Sequence, residues 1–221
     1  ERRSAVYDDE LHLEASRFEG IVQPFPAHFH EHYVLGLVER GERRLSCCGK
    51  ELPLRAGDLL LLNPGDSHAC EQRGGETLDY RSLTITQNVM RSLSEEITGT
   101  DTLPRFSPHI LRDSEAACDF RALHELVLSR SREFEKEEAL LLLLSRLFER
   151  CAPPFAAPQP PRGEIDAACA FMQRHFAERI TLDRLCRCAH LSKSTLLRAF
   201  TREKGVTPYR YLEAVRIGEA K

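Results

Sequence analysis

The sequence predicts an α+β protein: an all-β N-terminal half, a helical segment, then an all-α module. Three observations carry this. Short apolar runs broken by Gly and Pro turns fill the first hundred residues; two long apolar stretches follow up to Cys151; and the last forty residues have the pattern helix, tight turn, helix.

In the first part, Tyr33 to Val38, Arg44 to Cys48, Asp58 to Leu62 and Tyr80 to Ile85 are strand-length apolar runs between turn residues. Strands this short and evenly spaced predict a small β-barrel or sandwich.

Two helices are expected next, over 114–131 and 133–151. The second holds five consecutive leucines, Leu140 to Leu144, followed by Leu147 and Phe148, and is apolar nearly all round. Such a helix must be covered on more than one side, which predicts burial against the domain body and against a copy of itself in a homodimer through 114–151.

From Cys151 to Gly163 the chain carries five prolines. Proline lacks an amide hydrogen and fixes φ, so this stretch is neither helix nor central strand but an extended spacer. The expected organisation is therefore 1–105 barrel, 106–151 helical segment, 152–163 linker and 164–221 helical module.

In that module, Leu182, Leu185 and Ala189 give a first helix one apolar face, with Thr181 as its N-cap. His190 stands at the turn, where the backbone must become left-handed; His tolerates that region better than most residues. Ser192 caps a second helix whose Leu196 and Phe200 face inward. Lys193, Ser194, Thr195, Leu197, Arg198 and Arg202 are then expected to face outward, as a major-groove reading helix requires. Gly205 ends that helix, and Thr207-Pro208 starts a third that is still running at Lys221.

Charge follows the same division. After position 163 there are 11 Lys and Arg against 7 Asp and Glu; before it there are 20 against 27. A basic module tethered to an acidic one fits phosphate binding at one end. Membrane insertion is not expected, because no apolar run is long enough to span a bilayer. The eight cysteines lack zinc-ribbon spacing, Cys47-Cys48 cannot form an ordinary disulfide with each other, and no signal peptide is visible, so the reducing cytoplasm is the expected compartment.

Two blocks stand out in the β half: His28-Phe-His30-Glu-His32, and Gly57-Asp-Leu-Leu-Leu-Leu-Asn-Pro-Gly-Asp-Ser-His68. Alternate residues of a strand share one face, so His28, His30 and His32 align with or without a ligand. A binding pocket needs a few fixed polar groups in an apolar shell. His28, His30, Tyr33 and His68 are the candidates for an anionic or hydroxylated effector, with Glu71 or Tyr80 in support and Phe25 and Phe29 nearby. Near-neutral histidines would also permit pH sensing.

These blocks resemble the cupin motifs. Together with the Leu-Asp-Arg-Leu frame, Leu191-Ser192, Leu196, Arg198, Phe200, Gly205, Pro208, Tyr211-Leu212, Arg216 and Ala220-Lys221, they resemble the AraC-type transcriptional regulators over nearly the whole chain. The resemblance implies an effector-binding double-stranded β-helix, a helical dimerisation segment and a helix-turn-helix unit acting on double-stranded DNA. It also implies a second such unit beyond Lys221, which this chain lacks, and contact with RNA polymerase in a full-length protein.

By position, Ser194, Leu197 and Arg198 resemble the family's base-facing residues, with Arg198 suited to guanine, while Lys193, Arg202 and Lys204 would reach phosphates. The alternative is a metal-binding cupin, acting as metal sensor or enzyme. Metal cupins use two His, one Glu and a final His; His28, His30 and His68 match, but Val34 stands where the Glu would be. Three imidazoles still suit zinc or another divalent ion with an open position. No resident cofactor and no catalytic residue is expected on the regulator reading.

Overall fold

The computed structural model describes residues 1–73, 75–129, 131, 133–152 and 163–219. In chain order it runs β1 (Arg2–Asp8), β2 (Leu13–Ile21), β3 (Phe25–His28), β4 (Tyr33–Arg40), β5 (Glu42–Cys47), β6 (Lys50–Arg55), β7 (Leu59–Leu62), β8 (His68–Gln72) and β9 (Leu78–Ile85). Then come α1 (Gln87–Thr98), β10 (Ile110–Leu111), α2 (Ser114–Leu128), α3 (Glu133–Cys151), α4 (Gly163–His175), α5 (Leu182–Ala189), α6 (Lys193–Lys204) and α7 (Pro208–Glu219).

The strands form two antiparallel sheets, ordered β1-β2-β9-β4-β7-β10 and β3-β8-β5-β6. The larger sheet is covered on both faces, which is why β4 from Tyr33 to Val38 and all of β7 are apolar. Val34, Val38, Leu60 and Leu62 point between the sheets with Leu45 and Leu54. Tyr33, Leu35, Leu37, Leu59 and Leu61 point the other way, into a second core with the helices.

α1 corrects the expectation that the first 105 residues are all β. Thr86 accepts a hydrogen bond from the Val89 amide, and Gly99 ends the helix in a left-handed conformation at φ 73. Met90, Ser94 and Ile97, four and three residues apart, form its buried face.

The apolar circumference of α3 is covered within one chain in this arrangement. Leu140, Leu141, Leu143, Leu144, Leu147 and Phe148 are all buried, with α2 on one side and the helices after 163 on another. One continuous core runs from Leu11 through α3 to Leu212.

The C-terminal helices begin and end where local chemistry requires. Thr181 caps α5, Ser192 caps α6, and both His190 (φ 54) and Gly205 (φ 72) close a helix in the left-handed region. The proline-rich linker lies, over 153–162, outside the described residues.

Candidate functional site

The barrel encloses a cavity of about 430 Å³ whose walls include Val34, Leu45, Leu54, Leu60, Leu62 and Leu78. At one end His28 and His68 are cross-strand partners on β3 and β8, with ring centroids 4.3 Å apart; His30, in the connection to β4, lies 4.8 Å from His28 and 5.2 Å from His68. One ligand nitrogen from each of the three falls within 4.8 Å of the others.

Two of these rings are held in a fixed tautomer. His28 Nδ1 donates to the Pro26 carbonyl at 2.7 Å and His68 Nδ1 to the Asp66 carbonyl at 2.9 Å, which in a neutral ring places the lone pair on Nε2. Burial, reinforced by the neighbouring histidines, pushes His30 down to about 4. Burial also lowers His68. His30 and His68 are therefore neutral at physiological pH. They offer hydrogen bonds or metal lone pairs, not positive charge, which removes His30 as a sensor near neutrality and disfavours an anion held by charge alone.

Several expected residues sit elsewhere. Tyr33 points away from the cavity because it has the opposite strand parity from Val34: its hydroxyl donates to the Pro104 carbonyl at 2.7 Å and its ring meets Phe106. Glu71 is on the surface, paired with Arg44. Phe29 is 62% exposed, whereas Phe25 does line the cavity.

Tyr80 is in the cavity, and burial raises its hydroxyl pKa. Its ring lies over Gly36, where an added Cβ would meet the hydroxyl oxygen at 1.9 Å. Sequence reasoning missed the polar wall formed by Glu14, Ser16, Ser82 and Thr84. Glu14, Thr84 and Val34 are register neighbours across β2, β9 and β4, so a carboxylate stands two strands from the position where the motif lacks one.

The expected DNA-reading face is covered, which corrects the outward orientation assigned to it. Ser194, Thr195 and Leu197 are buried at 1%, 8% and 1% exposure. α6 packs against α1 and α3 on that side and against α5 and α7 on the other. The Ser194 amide donates to a Glu96 carboxylate oxygen at 3.2 Å, and its hydroxyl donates to the Glu96 carbonyl at 2.8 Å. Thr195 is held locally, its hydroxyl accepting from Ser192 at 3.0 Å.

The cations of α6 are engaged as well. Lys193 pairs with Glu137 of α3 and, at 2.9 Å, with Asp183. Arg198 is half-buried; burial lowers its pKa, opposed by the Glu149 and Glu96 carboxylates. Lys204 pairs with Asp166 at 3.1 Å and Glu203 at 3.0 Å. Arg202 alone of the expected contacts is exposed. Beside this interface the buried Glu138 accepts the Tyr209 amide at 2.9 Å, and burial pushes its carboxyl up to about 7.

A ligand-holding barrel whose helices carry a helix-turn-helix unit defines a transcriptional regulator under small-molecule control. Residues 10–144 match the AraC-like ligand binding domain. The chain is 43% identical over 223 residues to an uncharacterized HTH-type transcriptional regulator of Bacillus subtilis (strain 168), YbfI, covering 100% of this chain and 81% of that protein. It is 24% identical over 213 residues to the HTH-type transcriptional activator RhaS of Escherichia coli O139:H28, covering 89% and 73%. A Cupin 2 conserved barrel domain protein from Salinispora arenicola CNS-205 is similar at a TM-score of 0.35 and 21% identity, over 40% of this chain and 77% of that one. The chain belongs to the AraC family of transcriptional regulators.

Proposed function

We propose that this chain reads duplex DNA through α6, that it is controlled by an uncharged, hydroxyl-bearing small molecule in the barrel, and that the arrangement described above is a masked state. The single observation that carries this is the burial of Ser194, Thr195 and Leu197 against α1 and α3. A helix cannot present those side chains to a major groove and to Glu96 at once.

Carboxylates take the places of phosphates in the docked form. Glu96 meets the amino end of α6, Glu137 meets Lys193, and Glu149 lies within electrostatic reach of Arg198. Helix N-termini favour anions, so docking and DNA compete for the same groups. An effector controls DNA binding only to the extent that it binds the docked and free arrangements unequally.

The cavity chemistry supports the ligand class: apolar walls, two imidazoles oriented by backbone carbonyls at one end, and the hydroxyls of Tyr80, Ser82 and Thr84. We read the barrel as a sensor and assign no catalytic residue. Undocking α6 also uncovers part of α3, which gives the homodimer expected through 114–151 a surface available only in the active form. Cytoplasmic location fits the free state of all eight cysteines.

A second reading has its own observation. The His28, His30 and His68 nitrogens, two of them oriented by backbone carbonyls, fit the three-imidazole set of a zinc site. Metal content by native mass spectrometry, lost in His30→Ala/His68→Ala, would make the barrel a metal sensor.

The test is fluorescence anisotropy of the whole chain on a random-sequence duplex at physiological salt. The native chain should bind at the non-specific level of about 10⁻⁴ to 10⁻⁶ M or weaker. Glu96→Ala/Glu137→Ala should bind roughly tenfold or more tightly, and adding Arg198→Ala should abolish the gain. Equal affinity of the native chain and the double variant would sink the masked-state reading.

A further inference from the structure

A second cluster of donors lies outside the cavity, at a corner where three segments meet. β5 and β6 are joined by a two-residue turn, Cys48-Gly49, with both residues at positive φ, 50 and 77. Turns of this kind strongly prefer Asn or Gly at the first position. Cys is a poor backbone choice there, and such outliers concentrate where a side chain has a task.

What the turn achieves is to bring adjacent thiols together. Neighbouring residues of a regular strand point to opposite faces, yet Cys47 Sγ and Cys48 Sγ stand 3.9 Å apart. Two thiolates about 2.3 Å from a tetrahedral ion are themselves separated by about 3.8 Å. A ring nitrogen of His109, from the segment before β10, lies within 4.8 Å of both sulfurs. His109 Nδ1 donates to the Leu61 carbonyl at 3.1 Å, the kind of outer hydrogen bond that orients metal-binding imidazoles and in a neutral ring places the lone pair on Nε2.

The surroundings complete the electrostatics. Asp66, 4% exposed, places Oδ1 3.6 Å from Cys48 Sγ and Oδ2 3.6 Å from His109 Nδ1. Arg105 bonds Asp66 Oδ1 at 3.0 Å. Two thiolates would balance a divalent ion, and Arg105 balances Asp66. Cys47 is buried and Cys48 exposed, so a fourth position faces solvent.

We propose that Cys47, Cys48 and His109 form a site for a thiophilic cation of the zinc class, with Asp66 as its outer anion. Soft thiolate donors select such ions over magnesium or calcium. The site stands apart from the cavity but adjoins it: Cys47 is the cross-strand partner of His68. An ion here would pin the β5-β6 turn beside the cavity histidines. This assignment does not depend on the DNA-reading proposal.

The experiment is Co²⁺ titration of the reduced whole chain, followed by the sulfur-to-cobalt charge-transfer absorption, then displacement by Zn²⁺. Cys48→Asn is the informative variant, because Asn favours the same left-handed backbone and should keep the fold. One equivalent of Co²⁺ should give the sulfur band in the native chain and in His30→Ala, and Zn²⁺ should remove it. Cys48→Asn should lose the band and bind more than about a hundredfold more weakly, with unchanged circular dichroism. Absence of a sulfur band in the native chain, or a band that survives Cys48→Asn, overturns the site.

Discussion

Glu96 takes both hydrogen-bond donors of Ser194: the amide goes to its carboxylate at 3.2 Å and the hydroxyl to its main-chain carbonyl at 2.8 Å. Ser194 lies at the amino end of α6, where the helix dipole favours negative charge. An α1 carboxylate thus occupies the kind of position in which a DNA-reading helix receives a phosphate.

Leu197 reports on this arrangement through stability. On an outward-facing helix surface its truncation would cost within about 0.5 kcal/mol. Buried at 1% exposure, Leu197→Ala should cost about 2 kcal/mol or more in denaturant unfolding of the whole chain. A neutral effect would mean that α6 is not docked.

The contact of α3 with the start of α7 should weaken as pH rises, through Glu138. Its folded pKa, raised by burial to about 7 from an ordinary 4.5, means that the neutral carboxyl is favoured in the folded form. The stabilisation is fully present below the unfolded pKa and is lost between about pH 4.5 and 7. Glu138→Gln should therefore be more stable than the native chain at pH 8, by up to about 3 kcal/mol, and nearly equal to it at pH 5. Parallel stability profiles of the two proteins would contradict this.

Much of the architecture was legible because local chemistry specified it. Thr181, Ser192, Gly205 and Pro208 mark helix boundaries that the structure reproduces, and the helix expected at 133–151 is α3. α1 was missed because its weak apolar pattern, Met90, Ser94 and Ile97, includes a polar residue.

The site was less legible, for two reasons. Tyr33 was assigned by its nearness to the histidines in sequence, whereas strand parity turns it to the opposite face from Val34. Ser194, Thr195 and Leu197 look like surface residues by helical period, and Glu96, which holds Ser194, and Glu137, which holds the adjacent Lys193, lie far away in the chain. Glu14, twenty residues before Val34, joins the cavity only through the β2-β9-β4 register.

Gly36 should prove indispensable to the cavity. A methyl group there would overlap Tyr80, whose ring must move or the strand must shift. Gly36→Ala should cost about 1 to 3 kcal/mol, and Gly36→Ala/Tyr80→Phe should recover part of it in thermal unfolding. Full tolerance of Gly36→Ala would mean that Tyr80 does not occupy this place.

The masked state is tested most directly by hydrogen exchange of the whole chain, with and without saturating duplex DNA at low salt. Peptides covering 91–99 of α1 and 192–204 of α6 should both exchange slowly in the free protein, since each covers the other. On DNA binding the α6 peptide should stay protected while the α1 peptide exchanges faster, because its cover has left. Unchanged protection of α1 in the DNA complex would contradict the account.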